Sequence, residues 1–302
     1  GPAAVAGGVY AARKKIKTLV IAEEFGGQSL VSADVQNWIG TPHVSGYDLG
    51  KMLEGHLRAQ EDIEIVDADR VVALFKIAGG FSVSTKLGKS FETRTVLVAS
   101  GSRRRRLGVP GEDSLDGKGV AYCSICDAPL FGGKDVVVIG GGNAGLEAAI
   151  DLFTYASRVY LLERNAALRG DAVTQAIVLK NPKFTFIPNA VTLEIFGDTF
   201  VSGLRYKDLV SGATKELSVG GVFVEIGAVP NGEFVKDLVA LNKFGEIIVD
   251  PRTQTTNVPG IWAAGDVTDV MYKQNNIAAG DAIKAVLNLH EYLNKNGPSA
   301  SA

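Results

Sequence analysis

The feature that most constrains this 302-residue chain is a glycine-rich turn between an apolar strand and a helix. Residues 135–139 form the run DVVVI, and the following glycines fit the pattern G-x-G-x-x-G. Such a turn uses glycine for its tight geometry, for close approach to a pyrophosphate and for packing of the helix on the strand. The N-terminus of that helix, which we expect to reach about residue 155, stabilises the phosphates. The residues predicted to bind the dinucleotide here are Gly140, Gly142, Asn143, Ala144 and Gly145.

The same pattern occurs a second time near the beginning of the sequence. An offset of 141 residues places Gly1 on Gly142 and brings the apolar run 19–21 onto the run 160–162. The helices that precede these runs match in length. The chain therefore contains two βαβ units of the dinucleotide-binding type.

The first of these units begins at its second glycine, so its first strand is not in the sequence. We interpret this as an incomplete record of the N-terminus, with a protease scar at Gly1-Pro2 as the alternative.

An acid follows the second strand of both units, Glu23 in one and Glu163 in the other. At this position a carboxylate can accept a hydrogen bond from a ribose hydroxyl.

Glu163 also bears on the choice of nicotinamide cofactor. A carboxylate favours the 2′-hydroxyl of NADH and repels the 2′-phosphate of NADPH. Arg164 and Arg169 follow it and either oppose this preference or are solvated surface residues. The pattern favours NADH.

Strand and helix signals alternate along the chain, which indicates the α/β class. Helices are predicted over residues 2–13, 47–59 and 276–294, and strands over 18–22, 95–99, 159–162 and 261–264. Residues 184–224 read as short strands with turns, which predicts an antiparallel insert. Residues 295–302 are expected to be a frayed tail.

The only two cysteines form the motif Cys123-Ser-Ile-Cys126. At this spacing they can close a small disulfide at a helix start, where thiolates are stabilised, and Asp127 can exchange a proton with them. A pair of buried, unreactive thiols is the alternative. A disulfide beside a hydride carrier requires an intermediary, and flavin performs that chemistry. The three histidines are too scattered to complete a metal site with these cysteines.

Composition excludes several other classes of function. The net charge is −2, so there is no broad electrostatic case for binding nucleic acid or an anionic membrane. No apolar stretch is long enough to cross a bilayer, and no signal peptide opens the sequence. A cytoplasmic protein is therefore expected.

Two further segments attract attention. Gly265-Asp266 follows a predicted strand, and such an aspartate would face the ribityl-phosphate part of a flavin cofactor. Residues 103–106 are four consecutive arginines, which we interpret as a solvated face, with a docking patch for an acidic partner as the alternative.

Taken in order, these motifs resemble low-molecular-weight thioredoxin reductase and the related reductase portion of the alkyl hydroperoxide reductase flavoprotein. The resemblance covers essentially the whole chain. Its motifs are GGQ at 26–28, NW at 37–38, CSICD at 123–127, GGGNAGLE at 140–147, GIWAAGDVTD at 260–269 and YKQ at 272–274.

The resemblance implies a homodimer and two Rossmann-like (three-layer ββα) dinucleotide-binding domains. An FAD domain would comprise residues 1–106 and 233–302, and an NAD(P)H domain with the cysteines would be inserted at 107–232. Cys126 matches the flavin-facing cysteine, Cys123 the one that attacks the partner's disulfide, and Asp127 the family's acid. Arg105 and Lys118 match basic residues that dock thioredoxin.

The resemblance also implies a set of FAD-binding positions. They are Gly1, Ala4, Glu23, Gly27, Gln28, Asn37, Ala99, Ser100, Gly101, Gly265, Asp266, Gln274, Asn275 and Ile277. Glu163, Arg164 and Arg169 would bind the nicotinamide dinucleotide, and no metal is expected.

Two departures from the family pattern bear on the cofactor and the partner. Thioredoxin reductases usually have His-Arg-Arg where this chain has Glu163-Arg164-Asn165. The hydroperoxide reductase relatives have Glu there, and an N-terminal thioredoxin-like extension that is absent from this sequence.

The expected activity is FAD-dependent reduction of thioredoxin, or a similar small redox protein, by NAD(P)H through the cysteine pair. The alternatives are an NADH-dependent reductase of a peroxiredoxin or glutaredoxin-like partner, a flavin disulfide reductase with another electron donor, a diaphorase, and a nucleotide-sensing protein with silent cysteines.

Overall fold

The computed structural model describes residues 1–32 and 34–296. The chain divides into two compact units. The terminal unit comprises Gly1–Leu30, Trp38–Arg103 and the described residues from Val229 onward, and the inserted unit comprises Arg104–Ala228 with Val31–Asn37. Besides the short excursion at Val31–Asn37, the chain crosses between units after Arg103 and Ala228, three and four residues before the boundaries predicted at 106 and 232.

The helices of the described chain are α1 (Pro2–Arg13), α2 (Gly46–Arg58), α3 (Ser124–Asp127), α4 (Asn143–Phe153), α5 (Ala172–Lys180) and α6 (Asn275–Asn296). The strands are β1 (Thr18–Ala22), β2 (Ile63–Asp67), β3 (Val71–Ile77), β4 (Gly80–Thr85), β5 (Ser90–Thr93), β6 (Val96–Val98), β7 (Ser102–Arg104), β8 (Val120–Ala121), β9 (Asp135–Ile139), β10 (Arg158–Leu162), β11 (Phe184–Ile187), β12 (Ala190–Gly197), β13 (Val201–Asp208), β14 (Thr214–Ser218), β15 (Gly221–Val224), β16 (Ala228–Pro230) and β17 (Ile261–Ala263). Short 3₁₀ helices cover Gly27–Val31, Ala128–Phe131, Glu233–Val235 and Gly265–Val267.

The inserted unit is built on a five-stranded parallel sheet with the order β11-β10-β9-β15-β8. The branched residues of β9 are buried on both faces, as expected for a central parallel strand. Gly140 ends this strand with φ +118°, and a Cβ on Gly145 would lie 1.8 Å from the carbonyl oxygen of Gly140. Glycine at both positions therefore lets α4 pack closely against the sheet.

The expectation of a purely antiparallel insert over residues 184–224 is wrong at both ends. Only β12, β13 and β14 form an antiparallel sheet. β11 and β15 join the parallel sheet on either side of the pair β9 and β10. Turn signals do not distinguish a hairpin from a return into a parallel sheet, because strand partners are set by tertiary packing.

In the terminal unit the parallel strands form two separate pairs. β1 pairs with β2, and β6 pairs with β17, with no hydrogen-bonded link between the pairs among the described residues. β3, β4 and β5 form an antiparallel meander. The helices α1 and α6 pack together beside Ala264 through small residues, including Ala3, Ala278 and Ala282.

The predicted tail is also corrected, because α6 continues to Asn296, so Lys295 and Asn296 are helical. Residues 297–302 lie outside the described part of the chain. Within that part, no helix has the combined length and apolar character needed to cross a membrane. Nor does any group of three or more His, Cys, Asp or Glu side chains there have the arrangement of a metal site.

Candidate redox and nucleotide sites

The two cysteines of the inserted unit form a disulfide at the N-terminus of α3. Cys123 is the N-cap residue of this short helix, and the backbone N–H of Cys126 donates to its sulfur over 3.3 Å. Ile125, between the cysteines, is 59% exposed, so the tip of the motif is open to solvent and to a partner. Both cysteines are half-buried and bonded to each other, so they are not the pair of buried thiols that was the alternative.

A hydrogen bond that the sequence analysis did not anticipate holds the cysteine motif in place. The buried Ser124 donates from Oγ to Oδ2 of Asp151 over 2.7 Å. Asp151 lies on α4, the helix that begins at the glycine-rich turn. The disulfide and the predicted dinucleotide turn are therefore connected through one helix.

Asp127 has the protonation chemistry expected of a proton donor or acceptor near neutral pH. Burial raises the pKa of its carboxyl to about 6, although the Ser32 hydroxyl and the Arg104 guanidinium favour the charged form. Ser32 Oγ lies 3.3 Å from Asp127 Oδ1. A pKa near the working pH lets one group both accept and release a proton.

The carboxyl edge of the parallel sheet brings the chemically important residues of the inserted unit into one row. Ile139 on β9 is in register with Leu162 on β10 and with Val224 on β15. The residues that follow these three are Gly140, Glu163 and Glu225. Ligands of parallel α/β sheets bind at this edge.

Glu163 is fixed to the glycine-rich turn by hydrogen bonds within the chain. Its side chain is 2% exposed, and Oε2 accepts from the backbone N–H of Gly141 over 2.6 Å. Oε1 accepts from the backbone and side-chain nitrogens of Asn165, and Arg169 lies 3.4 Å from Oε2. Although burial acts in the opposite direction, these donors lower the pKa of the carboxyl. Glu163 therefore holds the turn, a role that its position after a strand does not reveal, and a ribose contact would be additional to these bonds.

The other predicted residues of this site occupy the start of two helices. Asn143 donates to Asp171 Oδ2 over 3.1 Å and accepts from the Asp171 backbone N–H over 2.7 Å, which links the starts of α4 and α5. Gly142, the N-cap of α4, makes no side-chain capping bond, so the first-turn N–H groups of α4 suit a pyrophosphate. Ala144 and Arg164 are exposed beside this turn.

In the terminal unit, two of the predicted FAD positions are glycines whose backbones lie close together. A Cβ on Gly27, which has φ +63°, would lie 3.3 Å from the Cα of Gly1. Gln28 donates from Nε2 to Asp266 Oδ2 over 3.1 Å and to Ser102 Oγ over 3.0 Å. These contacts bring the start of α1, the GGQ motif and the Gly-Asp turn together, and the bare backbone fits a phosphate-containing cofactor.

The remaining FAD positions, apart from Asn37, belong to the same terminal unit. Gly265 has φ +75°, and a Cβ there would lie 3.2 Å from Ala3 of α1. Asn275 donates to Ser29 Oγ over 2.9 Å, and Ser100 Oγ donates to the Asn231 carbonyl over 2.6 Å. The other members are Ala4 on α1, Ala99 and Gly101 after β6, and Gln274 and Ile277 at the start of α6. Asn37 belongs to the segment Val31–Asn37, which is grouped with the inserted unit.

A cavity of about 440 Å³ opens at the carboxyl ends of β1 and β2 in the terminal unit. Glu23 lines it, together with Phe25, Tyr47 and Arg58. The Glu23 side chain is 54% exposed and lies 3.9 Å from Arg70. This cavity suits the nucleoside end of a dinucleotide, because it combines a carboxylate for ribose with an apolar wall.

Three of the four consecutive arginines, Arg103, Arg105 and Arg106, have exposed side chains, as expected for a solvated face. Arg103 pairs with Glu233 over 2.7 Å, and Arg106 pairs with Asp116 over 2.6 Å while lying over the Tyr122 ring. Arg104 is half-buried and acts on the Asp127 carboxyl. Only Arg105 has an exposed side chain with no ion pair among the described residues, so a docking role is open to it. Lys118, the other predicted docking residue, donates to the Ser114 carbonyl over 3.3 Å.

The family model described as pyridine nucleotide-disulphide oxidoreductase matches residues 1–282. The chain belongs to this family. The structure of thioredoxin reductase from Streptococcus pyogenes MGAS5005 aligns with a TM-score of 0.89 and 33% identity, covering 98% of this chain and 96% of that one. The resemblance inferred from the motifs is therefore confirmed, as is the α/β fold with two Rossmann-like domains.

Curated relatives of this pyridine nucleotide-disulphide oxidoreductase are longer proteins. The F component of alkyl hydroperoxide reductase in Xanthomonas campestris pv. phaseoli is 45% identical over 305 residues, covering 100% of this chain and 57% of the relative. An NADH dehydrogenase of Bacillus subtilis is 43% identical over 296 residues, covering 98% of this chain and 58% of the relative. The chain spans somewhat more than half the length of these relatives.

One residue at the sheet edge was not recognised from the sequence of this family member. Glu225 follows β15, and its backbone N–H donates to the Ile139 carbonyl over 2.9 Å. Burial raises the pKa of its carboxyl to about 7, and the carboxyl groups of Asp151, Asp127 and Glu147 add to this effect. No motif marks Glu225, and its register position could have been found only by assigning β15 to the parallel sheet.

Proposed function

We propose that this protein is a flavin-dependent disulfide reductase. In this proposal NADH or NADPH supplies two electrons, FAD relays them to the Cys123–Cys126 disulfide, and a disulfide of a small redox protein receives them. The observation that carries the proposal is the bonded cysteine pair with a near-neutral carboxyl beside it, in the unit that also contains the glycine-rich turn.

The residues suited to FAD are those that gather around the start of α1 in the terminal unit. Gly1 and Gly27 would let the phosphates approach the backbone, and Glu23 would bind the adenosine ribose. Asp266, held by Gln28, would face the ribityl-phosphate part. FAD, when bound, supplies the conversion between two-electron hydride chemistry and thiol–disulfide chemistry.

The cysteines would divide the work as their positions in the motif suggest. Cys126 would exchange electrons with the flavin side, and Cys123 would attack the partner's disulfide. In the net reaction the partner disulfide gains two electrons and two protons, while the dinucleotide loses a hydride and the second proton comes from solvent. Asp127 would carry that proton to and from the cysteine pair.

The nicotinamide preference is part of the proposal. Glu163 is buried and charged in the turn, so a 2′-phosphate placed near it meets a like charge. We therefore propose NADH as the better donor, in competition with the positive charges of Arg164 and Arg169.

The test is steady-state reduction of a panel of thioredoxins with NADH and with NADPH, using the FAD-loaded protein. The expected result is disulfide reduction that depends on both cysteines. Rapid reduction of quinones or oxygen by NADH, with no thiol formed in any partner, would instead indicate a diaphorase. A preparation that takes up no FAD would contradict the proposal.

A peroxiredoxin or glutaredoxin-like partner is the second candidate. The 45% identity to the Xanthomonas alkyl hydroperoxide reductase component supports it, because it exceeds the 33% identity to the Streptococcus thioredoxin reductase. Adding these proteins to the same panel separates the candidates: the physiological class should show the higher kcat/KM. The FAD and NAD(P)H assignments of the two units and homodimer assembly stay predictions from the resemblance, and a cytoplasmic location stays a prediction from the sequence.

A further inference from the structure

The residues at the carboxyl edge of the inserted sheet follow a fixed order across the strands. Along the strands β10, β9 and β15, the residues at this level are Glu163, Gly140 and Glu225, and β8, which pairs with β15, leads two residues later to Cys123. The glycine turn thus has a glutamate on each side. Beyond Glu225, on the side away from Glu163, lies the disulfide.

The two glutamates have opposite electrostatic environments. Glu163 accepts hydrogen bonds from the backbone N–H groups of Gly141 and Asn165, which stabilise its charged form. Glu225 accepts no such bonds in the described chain; only its backbone is bound, to Ile139. Two carboxyl groups in one site that are driven to different protonation states have different chemical roles.

The charged groups around Glu225 come from three elements. Arg104 on β7 favours its charged form, while Asp127 on α3, and Asp151 and Glu147 on α4, oppose it. One cation therefore faces four carboxyl groups, counting Glu225 itself. Burial acts in the same direction as the acids and raises the pKa of Glu225 to about 7.

A dinucleotide at this edge can extend in one direction only. If the ribose of the adenosine half lies at the Glu163 side and the pyrophosphate at the glycine turn, the other half continues over β15 toward β8. Glu225 is the first side chain on that path, and the disulfide follows it. This step rests on the proposed function, which places NAD(P)H in the inserted unit.

We propose that Glu225 lies beside the nicotinamide half of the dinucleotide and distinguishes its two redox states by charge. The oxidised ring of NAD⁺ is cationic and is favoured by an ionised carboxylate. The dihydro ring of NADH is neutral and gains nothing from that charge. Glu225 is thus a specificity residue for the redox state, and it promotes release of NAD⁺ when it is protonated.

The pH dependence follows from linkage between the proton and the cation. Binding of NAD⁺ lowers the pKa of Glu225 and releases a proton, so NAD⁺ affinity rises as the pH rises through the range around 7. A neutral ring exchanges no proton with Glu225. In the oxidised protein the cysteines do not titrate, because they are joined in the disulfide.

The experiment is a calorimetric titration of the oxidised, FAD-loaded full chain between pH 5.5 and 8.5. The two probes are NAD⁺ and 1,4,5,6-tetrahydro-NAD, which has a neutral ring and donates no hydride. We expect the Kd of NAD⁺ to fall about tenfold across this range, or about 1.4 kcal/mol, and that of the tetrahydro compound to change less than about threefold.

Variants then assign the titrating group. Glu225→Gln should make the NAD⁺ series flat, and Glu216→Gln, which removes an exposed acid of β14, should leave it unchanged. A pH dependence that survives Glu225→Gln, or disappears instead in Asp127→Asn or Glu147→Gln, would overturn the proposal. A flat series for NAD⁺ in the unmodified protein would overturn it without any variant. Failure of both probes to bind at every pH would instead contradict the dinucleotide site itself.

Discussion

The two βαβ repeats place an acid after their second strand, yet the two acids have different surroundings. Glu163 in the inserted unit is 2% exposed and accepts from the backbone of the glycine turn. Glu23 in the terminal unit is 54% exposed, lies 3.9 Å from Arg70 and borders a cavity. The same sequence pattern therefore produces a structural anchor in one unit and an accessible carboxylate in the other.

The strand order of the inserted unit explains how Glu163 is held. In the inserted unit β9 lies between β10 and β15, and the residue that binds Glu163 follows β9 directly after Gly140. In the terminal unit no described strand joins the pair β1 and β2 to the pair β6 and β17. In the inserted unit the role of the acid therefore depends on the neighbouring strand as well as on the motif.

The largest expected effect concerns the cysteines, which only the inserted unit contains. Cys126→Ser should lower disulfide reduction by roughly 1000-fold or more, because a group that exchanges electrons has no substitute. Reduction of ferricyanide by NADH, which needs no thiol, should stay within about twofold. Ile125→Ala, at the exposed residue between the cysteines, is the matched control for folding. Equal loss of both activities in Cys126→Ser would mean that the cysteine supports the fold and is not the relay.

The second prediction compares the contributions of the two acids to the free energy of unfolding. Glu163→Ala should lower the free energy of unfolding by about 2–4 kcal/mol at pH 7, because it leaves buried N–H donors unpaired. Glu23→Ala, the matched change in the terminal unit, should cost less than about 0.5 kcal/mol. Because the folded pKa of Glu163 is lowered, its contribution is present above its ordinary pKa of 4.5 and is lost as the pH falls through the folded value. Equal losses in denaturant unfolding would show that the two acids are equivalent after all.

The third prediction compares the two glutamates that flank the glycine turn. The folded pKa of Glu225 is raised from 4.5 to about 7, so stability is lost as the pH rises between these values. Glu225→Gln should therefore increase the free energy of unfolding by about 2–3 kcal/mol at pH 8 and leave it unchanged near pH 4. Chemical denaturation at the two pH values measures this difference. A gain of the same size at both would mean that ionisation is not its cause.

The smallest effect concerns cofactor choice. The double variant Glu163→His, Asn165→Arg should change the cofactor preference. The kcat/KM for NADPH divided by that for NADH should rise by about tenfold. The reason is that the exchange removes a repelling carboxylate and adds a phosphate partner. A strong NADPH preference in the unmodified protein would show that Arg164 and Arg169 outweigh Glu163.

Local patterns predicted those parts of the molecule that are decided locally. The strand β9, its glycine turn and α4 were predictable because branched residues, glycines and helix formers follow one another without interruption. The strands β11 and β15 were misassigned, because their partners are distant in sequence and only packing selects them. The hydrogen bond between Ser124 and Asp151 was missed for the same reason, since 27 residues separate the two.

Electrostatic roles were the least predictable property. In the sequence, a glutamate after a strand has the same appearance in both cases. In the structure, backbone donors surround Glu163, whereas acids surround Glu225. The burial that gives Asp127 a pKa of about 6 likewise exists only in the folded chain. Motifs therefore indicate where chemistry occurs, and the fold determines which protonation state carries it.

Counting thiols shows whether pyridine nucleotide reduces the disulfide of the inserted unit, which the proposed relay requires. The FAD-loaded protein is incubated anaerobically with NADH, alkylated, and analysed by mass spectrometry for labels on Cys123 and Cys126. We expect no label before NADH and one on each cysteine afterwards, and again no label when oxidised partner protein in excess of NADH is added before alkylation. Oxidation of NADH that leaves both cysteines unlabelled would contradict it.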